Sequence, residues 1–101
     1  MKGGSAAEKE NTMKAVITVI GKDKVGIIAE VSAVCAENNA NILDITQSVL
    51  NDYFAMIMLT EIDDIKVPFA DFADKLTEIG RARGLEIRAV HEDIFNTMHH
   101  I

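Results

Sequence analysis

Apolar residues along this chain fall into short alternating runs and two helical stripes, separated by polar turns. The first run, Lys14 to Ile20, ends at Gly21 and reads as a strand with Val, Ile and Thr on both faces. A polar loop, Lys22-Asp23-Lys24, leads into Val25-Gly26-Ile27. From about Val25 to Asn38 the apolar positions Ile27, Ile28, Val31, Val34 and Cys35 make a single buried stripe on a helix. Asn39 falls where helices commonly end in a left-handed residue, a conformation that Asn tolerates. A second strand spans about Asn41 to Leu50. Asn51-Asp52 then supplies a hairpin turn, because both residue types accept positive φ. The third strand runs from Tyr53 to about Ile62. Pro68 suits the first turn of a second helix, where its missing N–H costs nothing. Phe69, Phe72, Ala73, Leu76 and Ile79 follow at helical spacing, and Gly84 is placed to cap the C-terminus. Arg81 and Arg83 complement the dipole of that last turn. A fourth strand covers Leu85 to about His91, and a tail helix, Glu92 to Ile101, carries Ile94, Phe95, Met98 and Ile101 on one side.

The order βαββαβ plus a tail helix predicts an α+β ferredoxin-like sandwich, with right-handed crossovers placing two helices on one face of a four-stranded antiparallel sheet. An antiparallel sheet with one wet face alternates apolar with polar residues. Strands one and three do not: Val16, Thr18 and Ile20 alternate with Ala15, Ile17 and Val19, and Phe54, Met56 and Met58 with Ala55, Ile57 and Leu59. Both faces are therefore expected to be covered, partly by the tail helix and partly by self-association as a homodimer.

Length allows one domain, and 49% hydrophobic residues allow a core without staples. Residues 1–12, MKGGSAAEKENT, read as a vector tail or disordered extension; the domain is assigned to 13–101, with a core at 13–91 and the tail helix at 92–101. A single cysteine, Cys35, has no disulfide partner and points to a cytoplasmic setting; its place on the helical stripe predicts an inert buried thiol. No apolar run approaches the roughly 18 residues of a membrane span, so no membrane association is expected. Charges in the first twelve residues cancel, leaving the formal −6 on the rest of the chain. Such a domain lacks the clustered Lys and Arg that phosphate-backbone binding requires, so no nucleic-acid partner is expected.

A strand feeding a helix through a glycine turn leaves unpaired backbone N–H groups at the turn, suited to a small anion such as an amino-acid carboxylate. The turn Asp23-Lys24-Val25-Gly26-Ile27 and the pair Asn41-Ile42 opening strand two resemble the signature of the ACT domain, a small-molecule regulatory module. Val25 stands where that family usually has proline. The similarity covers Met13 to Val90, and the tail from His91 to His99 resembles small stand-alone ACT proteins, themselves similar to glycine cleavage system repressor modules. The resemblance implies a non-catalytic sensor that binds a small amino acid at the turn, near a dimer interface. Asp23, Val25, Gly26 and Ile27 would line the site with Asn41 nearby; Asp23 or Asn41 would accept from an ammonium group. The alternative is a protein-interaction module without a ligand, in which Asp23 is a helix N-cap, Gly26 a packing glycine and Asn41 a strand-end partner.

Other chemistries fit poorly. Lys22, Asp23 and Lys24 do not supply the arginine of an acylphosphatase loop, and there is no Cys-x-x-Cys pair. Tyr53 and Phe54 lack the basic company of an RNA-binding sheet. No cofactor is expected. His91, Glu92 and Asp93 are adjacent and cannot all converge on one ion; His99 and His100 could join them across a dimer, but solvated ends are the favoured reading and no metal site is assigned.

Overall fold

A computed structural model describes residues 13–22 and 25–98. The elements are β1 (Lys14–Gly21), α1 (Ile27–Glu37), β2 (Asn41–Leu50), β3 (Tyr53–Glu61), α2 (Phe69–Arg83), β4 (Glu86–His91) and α3 (Glu92–Met98). The strands form one antiparallel sheet in the order β2-β3-β1-β4, the ferredoxin-like arrangement expected from the pattern. Ile17 of β1 sits opposite Met58 of β3 and Ala89 of β4, and Met58 in turn opposite Ile45 of β2. One side-chain row is thereby carried across the whole sheet.

That row and its neighbours make the core. Ala15, Ile17, Val19, Phe54, Met56 and Met58 are buried in one cluster with Ile27, Val31, Val34 and Cys35 of α1 and Phe72 and Leu76 of α2. Thr60 is buried among them, and its hydroxyl donates to the Ala15 carbonyl at 3.0 Å, so the polar group is satisfied where water cannot reach it. Gly80 brings α2 close to β4: a Cβ there would lie 2.7 Å from the Leu85 carbonyl oxygen and 2.8 Å from Ile87 Cγ1. Gly84 then ends α2 in the left-handed region at φ 73°, as its position at the helix terminus predicts.

Three expectations need adjustment. Helix α1 starts at Ile27 rather than near Val25, because Gly26 takes φ 74° and cannot belong to the helix. In the hairpin turn Asn51 has φ 56°, whereas Asp52 does not take a positive φ. The face opposite α1 and α2 is covered at one end only. Val16 is 4% exposed, but Ile20 and Ile57 remain 48% and 44% exposed. The main contacts of α3 are with β1 and β4, and Ile94 and Met98 stay exposed. The predicted last turn of the tail, with His99, His100 and Ile101, lies outside the described residues.

Candidate functional site: the turn between β1 and α1

Strand β1 delivers the chain to the turn at Gly21, where Leu85 packs so closely that a Cβ would meet its Cδ2 at 2.1 Å. Lys22 places its ammonium 5.4 Å from the centre of the Tyr53 ring. Asp23 and Lys24 lie outside the described residues, so the proposed contribution of Asp23 does too. Val25 is 78% exposed. Gly26 follows at the N-cap position with φ 74° and ψ 0°, and no side chain caps the helix there. Its carbonyl accepts the Glu30 amide at 3.0 Å, closing the first helical turn. Ile27 turns inward and is fully buried. Val25 and Gly26 thus present the turn to solvent, and Ile27 contributes its backbone to the turn and its side chain to the core.

A helix leaves the N–H groups of its first turn without intrahelical partners. Here those donors start behind a residue with no side chain. Among the described residues, the space above Gly26 is bounded by Arg83, whose Nη1 lies 3.9 Å from where a Cβ would sit. Arg83 reaches the turn from the last turn of α2. It donates to the Val25 carbonyl through Nη2 and pairs with Glu30 through Nη1 at 2.7 Å. Sequence reasoning assigned Arg83 only to the helix dipole. The signal that locates it is topological: β4 runs antiparallel to β1, with Glu86 opposite Ile20. The end of α2 must therefore arrive at the sheet end where β1 finishes.

Asn41 is elsewhere. It opens β2 and sits opposite Glu61, which is itself opposite Lys14 at the start of β1. Its side-chain amide donates to Glu61 Oε1 at 3.3 Å. At ~3.3 Å per residue, the length of β1 separates it from the turn by roughly 20–25 Å. Within one chain the expectation that Asn41 lies near Gly26 does not hold, because β2, antiparallel to β3 as β1 is, runs parallel to β1 and starts at the end of the sheet where β1 starts, away from the turn. Asn41 instead borders a depression of about 450 Å³ with Asn39, Glu61, Asp63 and Asp64. A larger groove of about 670 Å³ runs between α2 and β4 past Thr77, Arg81, Leu85 and Arg88, and does not include Val25 or Gly26.

Two other residues weighed for chemistry serve packing. The Cys35 thiol is fully buried, and burial raises its pKa from 9.0 to about 11. The His91 ring stacks on Phe69, with centroids 4.2 Å apart.

Residues 14–89 match the model of the ACT domain, which is most of the chain. The chain belongs to the ACT domain family. It is 49% identical over 88 residues to a UPF0237 protein of Methanocaldococcus jannaschii, covering 87% of this chain and 98% of that one. A UPF0237 protein of Clostridium acetobutylicum is 51% identical over 89 residues, covering 88% and 100%. Among solved structures, an ACT domain protein from Streptococcus pneumoniae superposes with a TM-score of 0.72 at 41% identity, covering 84% of this chain and 96% of that one. A putative glycine cleavage system transcriptional repressor gives 0.64 at 24% identity over 80% of this chain and 46% of its own, a likeness of fold. ACT domains are regulatory modules.

Proposed function

We propose that this ACT domain is a non-catalytic cytoplasmic sensor that binds a small amino acid at the turn formed by Asp23, Val25, Gly26 and Ile27. The observation that carries the reading is Gly26: an exposed, left-handed glycine at a helix start with no side-chain cap among the described residues, where a Cβ would meet nothing described nearer than Arg83 Nη1 at 3.9 Å. A ligand carboxylate approaching there meets backbone N–H groups and the favourable end of the helix dipole. Two structural neighbours, a putative glycine cleavage system transcriptional repressor and a regulatory subunit of aspartate kinase, fit a regulatory role for modules of this shape.

The site is completed in a homodimer paired through β2. That strand is an edge of the sheet, ten residues long, without proline or lysine. Beyond a register irregularity between Ile42 and Asp44 its pairing with β3 is continuous, and a long continuous edge is one that recruits a neighbour. Two-fold antiparallel pairing sets the start of each β2 beside the end of the other. Asn41 of a second copy would then arrive at the Leu50 end, which is the end that carries the turn. The ammonium acceptor is supplied this way, by Asn41 from across the interface.

A small amino acid has few heavy atoms, so the expected affinity is about −4 to −7 kcal/mol, or roughly millimolar to ten-micromolar. Calorimetry against the standard amino acids tests this. Gly26→Val strains the left-handed backbone and fills the space over the donors, so it should abolish binding while circular dichroism still shows a folded protein. If no amino acid binds or raises the melting temperature at roughly 10 mM, well above the weakest affinity expected, the second reading is favoured. In that reading the exposed Ile20 and Ile57 mark a protein-interaction surface and the turn stays empty.

A further inference from the structure

The chain has three arginines, Arg81, Arg83 and Arg88, all in or after the last turn of α2. Arg88 is engaged with Glu86 of its own strand at 3.0 Å. Arg83 alone reaches back across the fold, to residues 53 and 58 positions away in sequence. Its contacts close a ring. The Glu30 amide donates to the Gly26 carbonyl, the Glu30 carboxylate holds Arg83 Nη1, and Arg83 Nη2 holds the Val25 carbonyl.

The peptide between Val25 and Gly26 is planar, so its C=O and its N–H point in opposite directions as one rigid unit. Whatever fixes the Val25 carbonyl therefore aims the Gly26 N–H. Glycine flanked by an exposed Val has no steric reason of its own to hold one orientation. The planar guanidinium is suited to grip two acceptors at once, which an ammonium on a flexible stem is not.

We propose that Arg83 is the positioning residue of the turn: from the end of α2 it locks the Val25–Gly26 peptide plane and so presents the Gly26 N–H to a ligand. The ligand half of this inference rests on the amino-acid reading above; the positioning half does not. Occupancy of the turn and the order of the α2–β4 corner become coupled, since both act on one guanidinium.

Hydrogen exchange of the ligand-free protein, with Arg83→Gln, Arg83→Lys and Glu30→Gln variants, separates this from an ordinary surface ion pair. Positioning predicts that Arg83→Gln speeds exchange of the Glu30 amide, which is protected by its bond to the Gly26 carbonyl, by about tenfold, the loss of a charged hydrogen bond. Glu30→Gln, which keeps the bond to the Val25 carbonyl, should change it, after correction for the intrinsic rate, by no more than about threefold. Arg83→Lys should fall between, and the Met56 and Met58 amides of β3 should be unchanged in all three. Equal, small effects of Arg83→Gln and Glu30→Gln would overturn the proposal. Calorimetry with the standard amino acids is run on the same proteins, and Arg83→Gln should weaken any binding about tenfold or more. If the exchange pattern appears but the unmodified protein binds no amino acid, the sensing reading fails and the positioning role stands. Undiminished binding by Arg83→Gln with unaltered exchange defeats the positioning role and leaves the sensing reading intact.

Discussion

Gly80 and Gly84 lie one helical turn apart, yet replacing each by alanine should cost stability for different reasons. Gly80 is interior to α2, where alanine ordinarily gains about 1 kcal/mol over glycine. Here the new Cβ would stand 2.7 Å from the Leu85 carbonyl oxygen, which belongs to the backbone and cannot swing aside. Overpacking of that kind costs about 1–3 kcal/mol, so Gly80→Ala should be net destabilising in urea titration. Gly84 has nothing within 4 Å of such a Cβ, but its φ of 73° makes Gly84→Ala cost about 1–2 kcal/mol through the backbone alone. Cys35 adds a pH signature. Its folded pKa of about 11 lies above the 9.0 of an exposed thiol. The unfolded chain therefore loses this proton first as pH rises. The stability owed to the neutral thiol is complete below about pH 9 and is lost as pH climbs toward about 11. Cys35→Ala should remove that part of the slope, measured as the difference between the two denaturation curves. In the native protein at neutral pH, the buried thiol should resist labelling reagents and react on unfolding. At this scale the sequence was informative wherever a residue type has one steric use. The left-handed Asn39, at φ 64°, and Gly84 are both legible from position and type. Arg83 was not, because its partners are far away in sequence and no local pattern distinguishes it from a dipole-complementing arginine.

Among the elements, the strands and helices follow from periodicity, since burial on one face writes itself into every second or every third and fourth residue. What periodicity does not carry is which end of one strand faces which end of another. That is why the motif residues Gly26 and Asn41, read from the sequence as one site, separate to opposite ends of β1 once the β2–β3–β1 pairing is drawn. The tail shows a similar gap. Its apolar strip predicts docking, and α3 does contact β1 and β4, but Ile94 and Met98 remain exposed. Deleting the tail from Glu92 onward should uncover Val16, the buried residue at the covered end of the outer face. Exposing a valine-sized side chain costs about 1.5–2 kcal/mol, which should lower the melting temperature by several degrees in a domain of this size. An unchanged melting temperature would show that α3 is not what shields Val16.

For the molecule as a whole, two surfaces compete as the interface of the proposed homodimer: the β2 edge and the outer sheet face around Ile20 and Ile57. Pairing through β2 extends the sheet and leaves the outer face open. Pairing face to face buries Ile57 and leaves the edges free. Ile57→Lys distinguishes them, because a charge on the outer face should leave an edge-paired dimer intact and dissociate a face-paired one. Light scattering at micromolar concentration should find a dimer for both the unmodified protein and Ile57→Lys. Amino-acid binding at the turn between β1 and α1 is decided by titrating the isotopically labelled protein with each standard amino acid and following individual backbone amides by NMR. Saturable shifts are expected, for at least one of them, at Gly26 and Ile27 and at Asn41, with the last contributed across a dimer and absent from a monomeric variant. Shifts confined to the groove between α2 and β4, or no saturable shift with any amino acid, would contradict it.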